Sequence, residues 1–177
     1  MGQGGCDAWV FAYGSLMWRP DFQPAEAITA RLWGYHRAMC ILSNHYRGTD
    51  DRPGLVLGLD RGGSCRGRAL RIAALQVAEV VARLYEREMV HGVYFPRLLP
   101  VSLEDGRKVN ALAFVVDRRH TQYHRASSLE EAAALVRQGV GLAGSSRDYL
   151  AQTVAEMTGL GISRGSLHRL LQRVKDE

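Results

Sequence analysis

A single helical pattern interrupts the strand-like first two-thirds of this chain, and further helical patterns close it. That order limits the fold more than any other feature. Trp9-Val10-Phe11-Ala12-Tyr13 is a short apolar and aromatic run ended by Gly14-Ser15, the pattern of a buried strand followed by a turn. Arg31 to Ser43, Gly54 to Asp60 and Cys65 to Ile72 read as further strands. The last two are expected to form a hairpin through Arg61-Gly62-Gly63-Ser64. Val109 to Asp117 is a late strand, and Phe95 to Leu103 a weaker one interrupted by Pro96 and Pro100. Ala74 to about Val90 carries helical periodicity instead. Ser128-Leu129-Glu130-Glu131 is a capping box that opens a helix ending near Gly139. Ser145 or Ser146 caps another to about Met157, stopped by Gly159 and Gly161, and Ser163 or Ser166 starts a short last one. Strict strand–helix alternation is missing, so the pattern predicts an α+β or mixed α/β domain and not a doubly wound sheet.

Length and composition bound the rest. The 177 residues are 46% apolar, enough for one proper core and cramped for two. The expected organisation is a flexible leader over residues 1–8 and a single domain over 9–177. Met1-Gly2-Gln3-Gly4-Gly5 has neither the basic nor the apolar region of a secretory signal. No stretch approaches the roughly eighteen consecutive apolar residues of a membrane span. Three cysteines without close spacing (Cys6, Cys40, Cys65) suggest neither a zinc site nor a redox dithiol, and a reducing cytoplasm fits them best. The net charge of +5 rests almost wholly on arginine. It favours anionic ligands, but the arginines do not gather into runs, so nucleic acid is not the expected partner. Neither is a membrane.

Within the first helix, Val77, Val81 and Leu84 recur at i, i+4 and i+7, with Val80 beside them. Glu88 continues this apolar stripe, whereas Glu79 and Glu86 fall on the opposite side at about 100° per residue. A carboxyl pointed at a core is costly to ionise and its pKa rises. Two readings stay open on the helix pattern alone: a structural glutamate paired with an arginine, or a general acid/base. Glu88-x-x-His91 also has the form of half a di-iron motif, but the second copy is missing. His120 and His124 read as surface residues of a loop.

The turn Tyr13-Gly14-Ser15-Leu16-Met17 is the second feature. Glycine allows a sharp bend and close approach of a ligand, and successive N–H groups there can hold a carboxylate or oxyanion. The turn lacks the Gly-x-Ser-x-Gly setting of a hydrolase nucleophile, which argues against Ser15 as one.

Five blocks carry a family resemblance. They are Val10 to Phe22; Tyr46-Arg47-Gly48-Thr49; Pro53 to Leu59; Arg87-Glu88-Met89-Val90-His91-Gly92-Val93-Tyr94; and Gly144-Ser145-Ser146-Arg147-Asp148-Tyr149-Leu150. In order and without large gaps, they resemble the ChaC-like, glutathione-specific γ-glutamylcyclotransferases. Ala12 stands where that family usually has glycine, and Ser145-Ser146 where a Ser-Asn pair is common. The resemblance implies a small mixed α/β barrel of the γ-glutamylcyclotransferase-like fold, with helices mainly toward the C-terminus. It implies Glu88 as the catalytic glutamate and Ala12, Tyr13, Gly14, Ser15, Leu16 and Met17 as the substrate-binding segment. Arg47 and Tyr149 are candidates for gripping substrate carboxylates, or for structural roles. The implied substrate is glutathione, or else another γ-glutamyl peptide or γ-glutamyl amine, cyclised to 5-oxoproline without metal or organic cofactor. The rival readings are a non-catalytic binding protein of the same fold and, from the charge alone, an RNA-binding module.

Overall fold

A computed structural model describes residues 5–176. The elements run β1 (Ala8–Ala12), a 3₁₀ turn (Ser15–Met17), β2 (Glu26–Ser43), β3 (Gly54–Ile72), a second 3₁₀ turn (Ala74–Gln76), α1 (Val77–Glu88), β4 (Tyr94–Leu103), β5 (Lys108–Val116), α2 (Leu129–Gln138), β6 (Val140–Gly141), β7 (Gly144–Ser145), α3 (Ser146–Gly159) and α4 (Ser166–Lys175). Five strands close into a barrel in the order β1-β3-β2-β4-β5. β1 closes it, antiparallel to β3 (Phe11 opposite Ala69) and parallel to β5 (Trp9 opposite Ala111). The chain divides into two compact units: residues 5–36 with 59–117, and residues 37–58 with 118–176.

The first unit holds β1, β4, β5, α1 and the larger parts of β2 and β3. Its central strand explains the unbroken apolar run at the start of the sequence. Val10, Phe11 and Ala12 are all fully buried, so both faces of β1 meet core and no polar alternation is required. Phe11 lies over Gly67, where an added Cβ would come within 2.4 Å of the Ala12 carbonyl oxygen. α1 buries Val80 and Leu84, while Glu79 and Glu86 are exposed and Glu79 pairs with Arg83 at 3.5 Å. Of the leader expected over residues 1–8, residues 1–4 lie outside the described residues. Asp7 hydrogen bonds to Arg71 and to the N–H of Ala74, and Ala8 already belongs to β1.

Three strand expectations need correction. β2 starts at Glu26, not Arg31. No hairpin divides β3, which runs unbroken from Gly54 to Ile72. Gly62 and Gly63, at φ +103° and +69°, kink the strand without reversing it. β3 lies between β1 and β2 in the barrel, so both of its edges are paired and its second half is not free to fold back on residues 54–60. β4 is a full strand despite its prolines. It meets β2 only at Val101–Leu103, past both of them, so neither proline has to donate into that ladder.

The second unit contains α2, α3, α4 and the β6–β7 pair, with the adjoining ends of β2 and β3. Leu167, Leu170, Leu171 and Val174 fall at i, i+3, i+4 and i+7 of α4 and are all buried, as the amphipathic spacing requires. Ser128 caps α2 by accepting the Glu131 N–H, and Ser145 caps α3 by accepting the Asp148 N–H. The Glu131 carboxylate reaches one residue further back than an ordinary capping box, to the N–H and hydroxyl of Ser127 at 2.7 and 2.6 Å.

Candidate active site

Glu88 is the last residue of α1, and its side chain is 17% exposed. Removal from water is the main cause that raises its pKa above the ordinary carboxylate value. The Arg87 guanidinium opposes this, with Nε 3.3 Å from Glu88 Oε1, and the Asp21 carboxylate adds to it. A helix C-terminus carries partial negative charge and favours the neutral carboxyl further. Desolvation therefore wins over one nearby cation, partly because that cation is already engaged.

Arg87 donates to Ser15 Oγ at 2.8 Å, to the Arg19 carbonyl at 2.7 Å and to the carboxylate of Asp21. It fastens the end of α1 to the segment 15–21, and thereby brings Glu88 and the glycine turn together. The turn itself is held from below. Tyr13 Oη donates to the Phe114 carbonyl at 2.8 Å, and the side chains of Ala12, Tyr13, Leu16 and Met17 are buried. These side chains anchor the turn in the barrel. The N–H of Met17 is bonded to the Gly14 carbonyl at 2.9 Å, so it is withdrawn from the expected binding set. The N–H groups of Ser15 and Leu16, at the open end of the 3₁₀ turn, meet no acceptor among the described residues.

Near the same loop, a cavity of about 360 Å³ is lined by Pro20, Phe22, Val80 and Leu84, with Asp21 and Arg87 in its wall. Glu88 does not line it, so it is not the cleft in which Glu88 would meet a substrate.

Arg47 and Tyr149 belong to the second unit and lie against each other there. The guanidinium carbon stands 5.3 Å from the Tyr149 ring centroid, and Nη1 donates to the Ser145 carbonyl at 3.3 Å. The backbone at Arg47 is tightly walled: a Cβ on Gly54 would sit 2.2 Å from the Arg47 carbonyl oxygen, and one on Gly139 at 2.5 Å. Arg47 is half-buried, with its backbone closely packed. Ser146, at the position where the Ser-Asn pair is common, is fully buried, and its hydroxyl accepts the Leu55 N–H at 3.2 Å and donates to the Leu55 carbonyl. His124, read as a surface residue, is half-buried and pairs with Glu131 at 2.8 Å.

The chain matches known proteins over almost its whole length. Residues 8–177 match the family model described as ChaC-like protein. The chain belongs to the ChaC-like family. This ChaC-like chain is 37% identical to the glutathione-specific γ-glutamylcyclotransferase of Escherichia coli, over 94% of its own length and 72% of that protein. It is 32% identical to glutathione-specific γ-glutamylcyclotransferase 1 of Mus musculus, over 80% of its own length and 66% of that protein. Its fold superposes on the crystal structure of a yeast γ-glutamyl cyclotransferase specific to glutathione with a TM-score of 0.87, covering 96% of each chain at 19% identity.

Sequence reasoning on the ChaC-like pattern passed over Arg87 and Asp21. Both stand inside the resembling blocks, and Arg87 directly precedes Glu88. A basic residue abutting a glutamate that lies on an apolar stripe is a usable sign of a charge partner.

Proposed function

We propose that this chain cleaves glutathione, or a close γ-glutamyl peptide, by cyclisation to 5-oxoproline and the free Cys-Gly portion, with Glu88 as general base and then acid. One observation carries the reading: a desolvated carboxyl of raised pKa is tied through Arg87 to a turn that leaves the Ser15 and Leu16 N–H groups open. The names of the E. coli and mouse relatives support the substrate class.

The α-amine of a γ-glutamyl group is protonated in water. Glu88 takes one proton, and the freed amine attacks the γ-carbonyl carbon to close a five-membered ring. The N–H groups of Ser15 and Leu16 hold negative charge on the substrate or on the carbonyl oxygen of the tetrahedral adduct. As the adduct collapses, the Cys-Gly nitrogen leaves and takes its proton from Glu88. The second proton of the attacking nitrogen also ends on the leaving amine, so the products are isomeric with the substrate and no water is consumed. Nucleophile and electrophile share one molecule, so the protein mainly folds the substrate and moves protons. A carboxyl with a pKa nearer neutrality does both transfers better than an ordinary one.

The three free cysteines accord with a reducing compartment. Among the described residues no helix is long and apolar enough to cross a membrane. Incubation with glutathione and a panel of γ-glutamyl amides, followed by mass-spectrometric detection of 5-oxoproline, tests the reading. Release from glutathione supports it, and the absence of 5-oxoproline from every member of the panel would refute it.

A further inference from the structure

We propose that Arg87 and Asp21 form a charge pair that sets the proton affinity of Glu88 and couples it to the turn carrying Ser15. The proposal rests on the reading of Glu88 as the acid/base, and it assigns Arg87 and Asp21 as positioning residues.

The geometry is that of one guanidinium shared among four acceptors. Nη1 serves the Arg19 carbonyl and the Asp21 carboxylate, Nη2 serves Ser15 Oγ, and Nε faces Glu88 Oε1 at 3.3 Å. The contact to Glu88 is longer than those to the Arg19 carbonyl and Ser15 Oγ, at 2.7 and 2.8 Å, and longer than the close pairing with Asp21. Asp21, not Glu88, is therefore the principal counter-ion of Arg87. A lone cation this close would pull a carboxyl strongly toward ionisation. A cation already neutralised by a second carboxylate pulls less, and that second carboxylate itself repels charge on Glu88. The two charged groups that bear on Glu88 are Arg87, its neighbour on α1, and Asp21, on the loop after the 3₁₀ turn; no other titratable side chain among the described residues does so.

Asp21 carries a second mark of a constrained position. At φ +60° it is the one non-glycine residue in the left-handed region among the described residues. Such a conformation is sparsely populated by L-residues and persists where surrounding contacts fix it. Here the Arg87 contacts to Arg19 and Asp21 supply that fixing, so the same bonds that hold the loop also balance the charge at Glu88.

The signs of two substitutions separate this role from simple scaffolding. D21N removes a repelling charge and leaves Arg87 free for Glu88, so Glu88 should become more acidic. R87Q removes the attracting charge and leaves Asp21, so Glu88 should become less acidic. The full chain, labelled with ¹³C at glutamate Cδ, is titrated by NMR, with the Glu88 signal assigned by its loss in E88Q. We expect the midpoint to fall by about one pH unit in D21N and to rise by about one in R87Q, each a tenfold change in proton affinity. R87K, which keeps the charge but cannot reproduce the fork, should bring the midpoint back toward wild type. Shifts of the same sign, or no shift in either variant, would overturn the proposal; if R87Q does not fold, the direction of the D21N shift decides. The titration needs no turnover. Wild-type protein that releases no 5-oxoproline would refute the proposed function alone, and unmoved midpoints beside a working enzyme would refute the charge pair alone.

Discussion

Arg87 Nη2 donates to Ser15 Oγ at 2.8 Å, joining residues 72 positions apart. The bond ties the end of α1, which carries Glu88, to the turn that the proposed scheme assigns to the substrate. The Ser15 hydroxyl therefore accepts from a cation, not from a neutral donor.

Ser15→Ala should accordingly cost more than an ordinary neutral hydrogen bond. Bonds to charged groups contribute about 2 kcal/mol, or roughly thirtyfold in kcat/KM if the whole bond serves to hold the turn. Steady-state kinetics with glutathione measure this, and a mass search for an acyl-enzyme in the wild type accompanies them. A covalent adduct on Ser15 would contradict direct cyclisation.

Burial of Glu88 also has a consequence for stability. Its folded pKa is raised, so the native state holds this proton more tightly than the unfolded chain does. Stability then falls as pH rises from the unfolded value through the folded one, and above that range an ionised Glu88 is a cost to the fold. Glu88→Gln should raise the melting temperature at pH 7, with the gain shrinking as pH falls from the raised folded value to the ordinary glutamate pKa. Thermal melts of both proteins across pH 4 to 8 test this. A variant less stable than wild type at pH 7 would mean that ionised Glu88 is a structural ion-pair member.

Glu131 predicts the reverse. Hydrogen bonds from the hydroxyl and N–H of Ser127, then from His124, hold its pKa down at about 2. Its stabilisation of the α2 cap is complete above the unfolded glutamate pKa and is lost as pH falls from there toward 2. Glu131→Gln should melt lower than wild type at pH 7 and converge with it in acid. Parallel melting curves at all pH values would contradict this assignment.

The physical reasons that some of this was legible in the sequence, and some was not, differ by residue. Glu88 stood out because helical periodicity is local: four positions on one stripe place a fifth. β1 and its turn stood out because a short apolar run ending in Gly-Ser has few other uses. The Gly62-Gly63 pair misled, because glycines at positive φ serve a kink in a long strand as well as a hairpin, and only the place of β3 between β1 and β2 decides between them. Pro96 and Pro100 weakened the pattern of β4, although its ladder to β2 begins beyond them. Arg87 and Asp21 left no periodic trace. Their contacts to each other and to Ser15 join residues 66 to 72 positions apart, so the place of Arg87 beside Glu88 was the one local sign of its role, and Asp21 had none.

The cyclisation scheme asks nothing of a metal ion. Turnover of glutathione should be unchanged by EDTA and by added zinc or magnesium. Activity that disappears with the chelator and returns with either metal would contradict the scheme.

The most direct test of the account is the rate of 5-oxoproline release from glutathione by purified Glu88→Gln protein, with Glu86→Gln as the matched control. Glu86 lies two residues away on α1 and is exposed, so its substitution should leave the rate near wild type. Loss of one acid/base group lowers turnover by a factor on the order of 100 or more, and the account predicts a loss of that size for Glu88→Gln in a protein that remains folded. A folded Glu88→Gln protein that releases 5-oxoproline at close to the wild-type rate would contradict it.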